Sequence, residues 1–465
     1  VTVALALLLA LVGSAAAAEF HLPPVTRVTL ENGLRVVIAE QPEVPLVEMQ
    51  LLIGAGSAQD PSGDEGVAAL TARSLTRGAG ERSAVALARE IESLGGEVAA
   101  AALTDATMLS AEFLAEDFAR GLALVRDVVV APRFERDEVR RARDEQVATI
   151  LATLEQPSAV ADKCFAAFLY GAHPYGRPPD GSIATVNGLG RGDVREFYER
   201  WYHPNNAILV LVGAVAPAEA LAAVRDALGR WPSRPDAVPT RAAAPTPLAA
   251  RRVLLVDKAD ATQTQIRFGN VAIPRSDPDY LVASVGNTIL GGGFTSRLIE
   301  ELRIKRSLTY SAWSMFVARL LGGDFRVGTF TKSPTTVETL KLALSVEGDF
   351  RQTPPDAKAL DKAKEYLSGQ FPLRLESPEA LAARLAELEF HGLPEDELTT
   401  YQRRVRAVTA AEVAAVAARA MPPPERVAIV VVGKSAEVKA PLEEAFGTVE
   451  MVPAAECDAL ARRRD

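Results

Sequence analysis

The run from Trp231 to Ala250 constrains this chain more than any other stretch. It is rich in proline and alanine and follows neither the 3.6-residue period of a helix nor the alternation of a strand. Proline fixes φ and removes a backbone donor, so such a run reads as a linker. It falls close to the middle of the 465 residues, and the two sides of it look related. Arg252-Val253-Leu254-Leu255-Val256 after the linker matches Arg35-Val36-Val37-Ile38 before it. Arg426 to Gly433 matches Asn206 to Gly213, and a helix candidate follows each, at Ala436–Phe446 and Ala216–Leu228. Runs this continuously apolar have no face to offer water, so they belong in a sheet covered on both sides or at a domain interface. Two such pairs in the same order predict a duplicated α+β unit, each copy a mostly antiparallel sheet with helices packed on it. The expected domains are residues 25–232 and 251–447, with a linker at 233–250 and a C-terminal tail at 448–465.

Within the first half, Asn32-Gly33 is a hairpin turn between β-rich runs. Val44–Ile53 and Glu97–Phe113 read as strands, the latter interrupted around Thr104-Asp105. Helices are expected at Val67–Thr76, Ser83–Leu94, Ala115–Val130, Arg136–Leu154 and Arg191–Trp201. Residues 1–18 read as a secretory signal peptide, an alanine-rich apolar core ending in Ala16-Ala17-Ala18 before Glu19. The expectation is an exported protein, periplasmic or secreted, with no membrane span in the mature chain. A formal charge of −9 gives no basic field for nucleic acid. Cys164 and Cys457 lie too far apart in sequence for a metal-type spacing, and pairing between them stays open.

A second stretch carries chemistry. Gly291-Gly292-Gly293-Phe294-Thr295-Ser296-Arg297-Leu298 combines glycines free to take positive φ with Thr295 or Ser296 as a helix cap. Leu298, Ile299 and Leu302 then share one helix face, and the alternation of Leu308, Tyr310 and Ala312 reads as a strand. Arg303 and Tyr310 would both reach the glycine loop, and a guanidinium and a phenol can each donate to a carbonyl oxygen that becomes negative. The same residues also read as a solvated helix arginine and a half-buried strand tyrosine. The glycine run lacks the lysine of a phosphate loop, and there is no G-x-S-x-G element for a serine hydrolase.

The stretch resembles the second-domain signature of the pitrilysin/insulinase-like zinc peptidases (inverzincins): a glycine-rich run, then S-R-L, then L-R-x-K/R-x-x-L-x-Y-S. The resemblance implies that Arg303 and Tyr310 bind the substrate carbonyl and that Gly291, Gly292, Gly293 and Phe294 contact substrate. Ser307 stands where the family usually has glycine. The first half is similar to the same family through Gly56-Ser57-Ala58-Gln59-Asp60, Gly66-Val67-Ala68, His173-Pro174-Tyr175-Gly176 and Tyr202-His203-Pro204-Asn205-Asn206. At the family's H-x-x-E-H, however, the two zinc-ligand histidines fall on Ala69 and Arg73, and the general-base glutamate on Ala72. Alanine has no lone pair for a metal and arginine stays protonated. Glu138 and Glu145 lie near the source of the family's third ligand, and neither makes a zinc site alone.

The resemblance implies half of a clamshell: a non-catalytic subunit of a heteromeric zinc peptidase, binding no cofactor itself. A homologous partner with H-x-x-E-H would supply zinc and base, and this chain Arg303 and Tyr310. The substrate would be an extended peptide. The alternative is an inactive scaffold or peptide-binding protein of the same fold with no catalytic contribution.

Overall fold

The computed structural model describes residues 22–462, so the expected signal at 1–18 lies outside the described residues. The first half runs β1 (Val25–Thr29), β2 (Arg35–Glu40), β3 (Leu46–Ile53), α1 (Val67–Leu75), α2 (Ala84–Ser93), β4 (Glu97–Ala102) and β5 (Thr107–Leu114). It continues through α3 (Phe118–Val130), α4 (Arg136–Glu155), α5 (Pro157–Tyr170), α6 (Ile183–Gly188), α7 (Arg191–Trp201), β6 (Ala207–Gly213) and α8 (Pro217–Leu228). The second half opens with β7 (Arg252–Asp257), β8 (Thr264–Ala272), α9 (Tyr280–Leu290), a π-helix (Ile299–Lys305), β9 (Ala312–Val317) and β10 (Gly323–Thr331). Then come α10 (Thr336–Gln352), α11 (Ala357–Leu373), α12 (Pro378–His391), α13 (Glu397–Ala407), α14 (Ala410–Ala420), β11 (Ala428–Gly433), α15 (Ser435–Phe446) and β12 (Glu450–Pro453).

Two six-stranded sheets result, ordered β1-β2-β6-β3-β5-β4 and β12-β7-β11-β8-β10-β9. They share a five-strand pattern. In each, one parallel pair (β2 with β6, β7 with β11) adjoins a run of antiparallel strands ending at β4 or β9. Arg35 pairs with Ile208 and Arg252 with Ala428, so the runs that look related in sequence are the central parallel strands of related sheets. The expectation of two homologous α+β domains therefore holds. Among the described residues, no helix is long and apolar enough to cross a membrane.

The central strands are apolar on both faces because each sheet is covered from both sides. One face of β2 and β6 (Val36, Ile38, Leu209, Leu211) packs on helices of its own half. The other face (Val37, Ala39, Ile208, Val210, Val212) packs on Leu381, Leu385 and Leu388 of α12, which belongs to the second half. The exchange is mutual: Leu254, Val256, Val430 and Val432 of the second sheet pack on Val160, Phe165 and Phe168 of α5. Each of these buried side chains other than Ala39 contributes roughly 1.5–3 kcal/mol. Crossing over in this way locks the halves together.

Polar groups strengthen the α5 side. Tyr170 donates its hydroxyl to the buried Asp324 at 2.8 Å, Arg326 bonds both oxygens of the same carboxylate, and Arg267 reaches Asp162 at 2.7 Å. Cys164 on α5 is disulfide-bonded to Cys457 beyond β12, resolving in favour of pairing what the sequence left open.

Candidate functional site

The glycine run follows α9 and is pinned to the edge strand β9. Asn287, on the last turn of α9, donates its amide to the Ser314 carbonyl at 3.0 Å and accepts from the Ser314 hydroxyl at 2.7 Å. The Ser314 N–H donates to the Gly291 carbonyl. A Cβ on Gly291 would lie 2.4 Å from Ser314 N and from its Oγ, so only glycine permits this approach. Positive φ, which the sequence suggested as the reason for the three glycines, is not used at any of them. Phe294 at the tip of the run is 87% exposed.

The helix that follows is wound as a π-helix, a form that recurs at functional sites. Leu298, Ile299 and Leu302 face the core as expected. The helical turn begins at Arg297, right after Ser296, but neither Thr295 nor Ser296 caps it through its side chain, and Ser296 Oγ is buried without a hydrogen-bond partner among the described residues.

The end of this helix departs from the sequence reading. Ser307 sits at φ +53°, its N–H donates to the Arg303 carbonyl, and the Leu308 N–H donates to the Leu302 carbonyl. The bond from the left-handed Ser307 to the Arg303 carbonyl is the single bond of an αL termination, whose left-handed position favours glycine. The chain leaves in a loop held by Thr309, whose Oγ1 accepts from Ser311 N and donates to its carbonyl. The strand therefore begins at Ala312, and Tyr310 lies in the loop before it rather than on the strand. Tyr310 is 78% exposed, Ile304 is exposed beside Arg303, and Arg303 is half-buried. Neither the Arg303 nor the Tyr310 side chain has a hydrogen bond or ion pair with another described residue. The fold thus brings the glycine run, the π-helix and β9 together and leaves both donors without internal partners.

In the first half, α1 carries the positions of the degenerate metal motif. Asp60 accepts from the N–H groups of Gly66 at 2.7 Å and Ala68 at 2.9 Å at the start of α1. Burial pushes its carboxyl up to about 8, against the downward pull of those two N–H groups and of Arg177. Gln146 of α4 donates to the carbonyls of Gly66 and Asp180. Ala69 and Ala72 are buried. Arg73 pairs with Asp180 at 3.5 Å, and Arg77, one turn on, pairs with Glu145 at 2.5 Å and Glu138 at 3.7 Å. The carboxylates that α4 and the loop before α6 turn toward α1 are answered by guanidinium groups. A zinc ion does not fit this set: two methyl groups offer no ligand, and two fixed cations stand among the remaining acids.

Two of the histidines, His173 and His203, have structural partners. His173 accepts from Tyr175 N at 3.1 Å and lies 2.9 Å from the Ala243 carbonyl, tying the linker to the first half. His203 lies between the carbonyls of Pro232 and Glu199. Sequence reasoning did not find Asp105, which accepts from Tyr175 Oη at 2.8 Å and from Leu320 N across the halves, nor the Tyr170–Asp324–Arg326 cluster. The partners of Asp105 lie 70 and 215 residues away and Tyr170 lies 154 from Asp324, so no local pattern marks them.

Comparison with known proteins gives a consistent answer. The family described as "Insulinase (Peptidase family M16)" matches residues 35–178, and "Peptidase M16 inactive domain" matches residues 188–367. An uncharacterized zinc protease of Mycobacterium leprae is 32% identical over 62% of this chain and 65% of its own. A "non-peptidase homolog" of Helicobacter pylori is 23% identical over 77% of this chain and 82% of its own. The crystal structure of a peptidase M16 inactive domain from Pseudomonas fluorescens superposes with a TM-score of 0.83 at 28% identity, over 88% of this chain and 98% of that one. The chain belongs to the insulinase (M16) peptidase family, as a member with alanine and arginine where H-x-x-E-H would stand.

Proposed function

We propose that this chain is the non-catalytic subunit of a heteromeric zinc peptidase. The observation that carries the reading is the pair Arg303 and Tyr310, on the π-helix and the loop that link the glycine run to the edge strand β9, their side chains without a partner among the described residues. An extended peptide can add to the edge of β9 outside Ser314, whose own N–H and carbonyl are held by Gly291 and Asn287, with backbone hydrogen bonds supplying affinity. The Tyr310 hydroxyl and the Arg303 guanidinium then donate to the scissile carbonyl oxygen as it gains charge. Zinc and the general base belong to a homologous partner carrying H-x-x-E-H. Export to the periplasm or beyond is part of the proposal, and the Cys164–Cys457 disulfide supports it, since such bonds persist in oxidising compartments.

The test is reconstitution. A partner with H-x-x-E-H gains peptidase activity when this chain is added. Tyr310→Phe or Arg303→Ala each lowers kcat on the order of 100-fold, the loss typical of one removed oxyanion donor. Unchanged kinetics in both variants sinks the catalytic role. Those kinetics would support the second reading, an inactive scaffold or peptide-holding protein, which the name of the Helicobacter pylori relative favours.

A further inference from the structure

A cleft of about 1300 Å³ opens away from the glycine run, between the exposed side of α7, the start of α4, the Pro174–Arg177 turn and linker residues 234–242. Seven arginines line it against four carboxylates, in a chain whose formal charge is −9. Two of the arginines are neutralised locally: Arg195 pairs with Glu199 at 3.0 Å and Arg234 with Asp236 at 2.7 Å. Asp105 is already taken by the Tyr175 hydroxyl and Leu320 N–H. That leaves Arg136, Arg177, Arg191, Arg200 and Arg241 without an ion pair among the described residues, against one further lining carboxylate, Glu196, with Arg177 in the field of Asp60 and Arg200 in that of Asp236.

Most of these guanidinium groups are positioned rather than loose. Arg191 Nε donates to the Phe134 carbonyl at 2.6 Å and Arg177 Nη1 to the Asp60 carbonyl at 2.8 Å, each keeping further N–H groups. Arg200 lies over the Trp201 ring at 4.6 Å, and Arg241 lies 5.9 Å from the centre of the Phe390 ring. Holding so many like charges in one cleft is unfavourable until an anion arrives, and guanidinium forks match carboxylates in two-point contacts.

We propose that this cleft binds an acidic polypeptide segment. Three observations favour that occupant. The volume exceeds what one small anion needs. Linker residues 240–242 are exposed and form no backbone–backbone hydrogen bonds among the described residues, so their N–H and C=O groups are open to an extended chain. The aromatic rings in the lining, Tyr175 and Trp201, are 2% and 6% exposed, which leaves no ring face on which a nucleic-acid base could stack.

The experiment uses this chain alone, so its outcome is independent of any role of Arg303 and Tyr310. A fluorescein-labelled peptide alternating glutamate and glycine is titrated by anisotropy, beside versions with glutamine or lysine for glutamate and beside a labelled oligothymidylate. The glutamate peptide is expected to bind and to weaken as salt is raised past about 0.15 M, where screening shortens to about 8 Å. The combined variant Arg136→Gln, Arg200→Gln, Arg241→Gln weakens it on the order of tenfold, from three partly exposed pairs. A control triple removing the same charge elsewhere, Lys341→Gln, Lys358→Gln, Arg403→Gln, leaves affinity within about twofold. Equal loss in both triples, or equal binding of the glutamine peptide, overturns the site. Equally tight binding of the oligothymidylate with the same arginine dependence overturns the choice of a peptide.

Discussion

Glu347 on α10 is a carboxylate with nowhere to place its charge. It is fully buried, and neither Oε1 nor Oε2 has a hydrogen-bond partner among the described residues. Arg351, one turn later, is turned away to the carbonyls of Met421 and Ala418, both at 2.9 Å. Burial pushes the Glu347 carboxyl up from 4.5 to about 8, with Arg351 pulling it down and Glu425 pushing it further up. In the unfolded chain the group titrates near its ordinary value. Between the two values the folded state holds a proton that the unfolded state has released, so stability falls as pH rises. The contribution is fully present below about 4.5 and is lost as pH passes through about 8. At 1.36 kcal/mol per pH unit the loss reaches about 3 kcal/mol at pH 7 and about 5 kcal/mol at the end of the window.

Glu347→Gln keeps the shape and removes the titration. Urea unfolding of the second half can be followed by fluorescence from Trp313, the only one of the three tryptophans beyond the linker. The variant and the parent should have similar midpoints at pH 4.5. At pH 7 the variant's midpoint should lie higher by roughly 1–2 M, for a urea slope of about 2 kcal/mol per M. The buried Glu48 and Asp60 are also raised, so the difference between the two proteins, not the pH profile of either, isolates Glu347. Midpoints that stay together from pH 4.5 to pH 8 would falsify the reasoning, because they would mean that the side chain finds solvent or a partner when ionised.

Two further changes test the fold around the site. The disulfide closes a loop of 293 residues, for which chain entropy gives a stabilisation on the order of 5 kcal/mol. Cys164→Ser with Cys457→Ser should lower the melting temperature, and a reductant should lower the parent's by as much while leaving the variant's unchanged. Ser307→Gly relieves a left-handed serine at a helix end, offset by glycine's greater freedom in the unfolded chain. A net gain of about 0.5–1 kcal/mol in denaturant unfolding is expected, and a loss would contradict the left-handed termination.

How much of this was legible in the sequence depends on how local the cause is. The strands at 207–213 and 428–433 were, because a run of apolar residues with no polar face is an instruction that needs no partner. What covers their second faces was not: α12 on the first sheet and α5 on the second come from the opposite half, and their apolar residues read like those of any core helix. The alternation of Leu308, Tyr310 and Ala312 suggested a strand, but one left-handed residue at Ser307 moved the start of pairing to Ala312. Serine gives no warning of such a φ, whereas glycine at that position would have. The arginines around α7 without an ion pair were equally hidden, since their cleft is assembled from the linker, α7, the start of α4 and the Pro174–Arg177 turn.

The absence of metal ligands on α1 raises a physical question about why the surrounding geometry persists. A zinc site in this place would neutralise the acids that converge on it. Without the ion, Asp180, Glu138 and Glu145 face a helix end with nothing to balance them. Arg73 and Arg77 do balance them, and Arg77 also bonds the Arg73 carbonyl through Nε, fixing the turn that both occupy. The start of the same helix is held independently, by the Asp60 carboxylate on two N–H groups and by Gln146 on the Gly66 carbonyl. The two ends are therefore stabilised by this chain's own side chains, and α1 keeps its place against α4 and α7 without a metal. Restoring histidine at 69 and 73 would not recreate the site by itself. The guanidinium of Arg77 would still stand at Glu138 and Glu145, where it competes with any cation for those carboxylates.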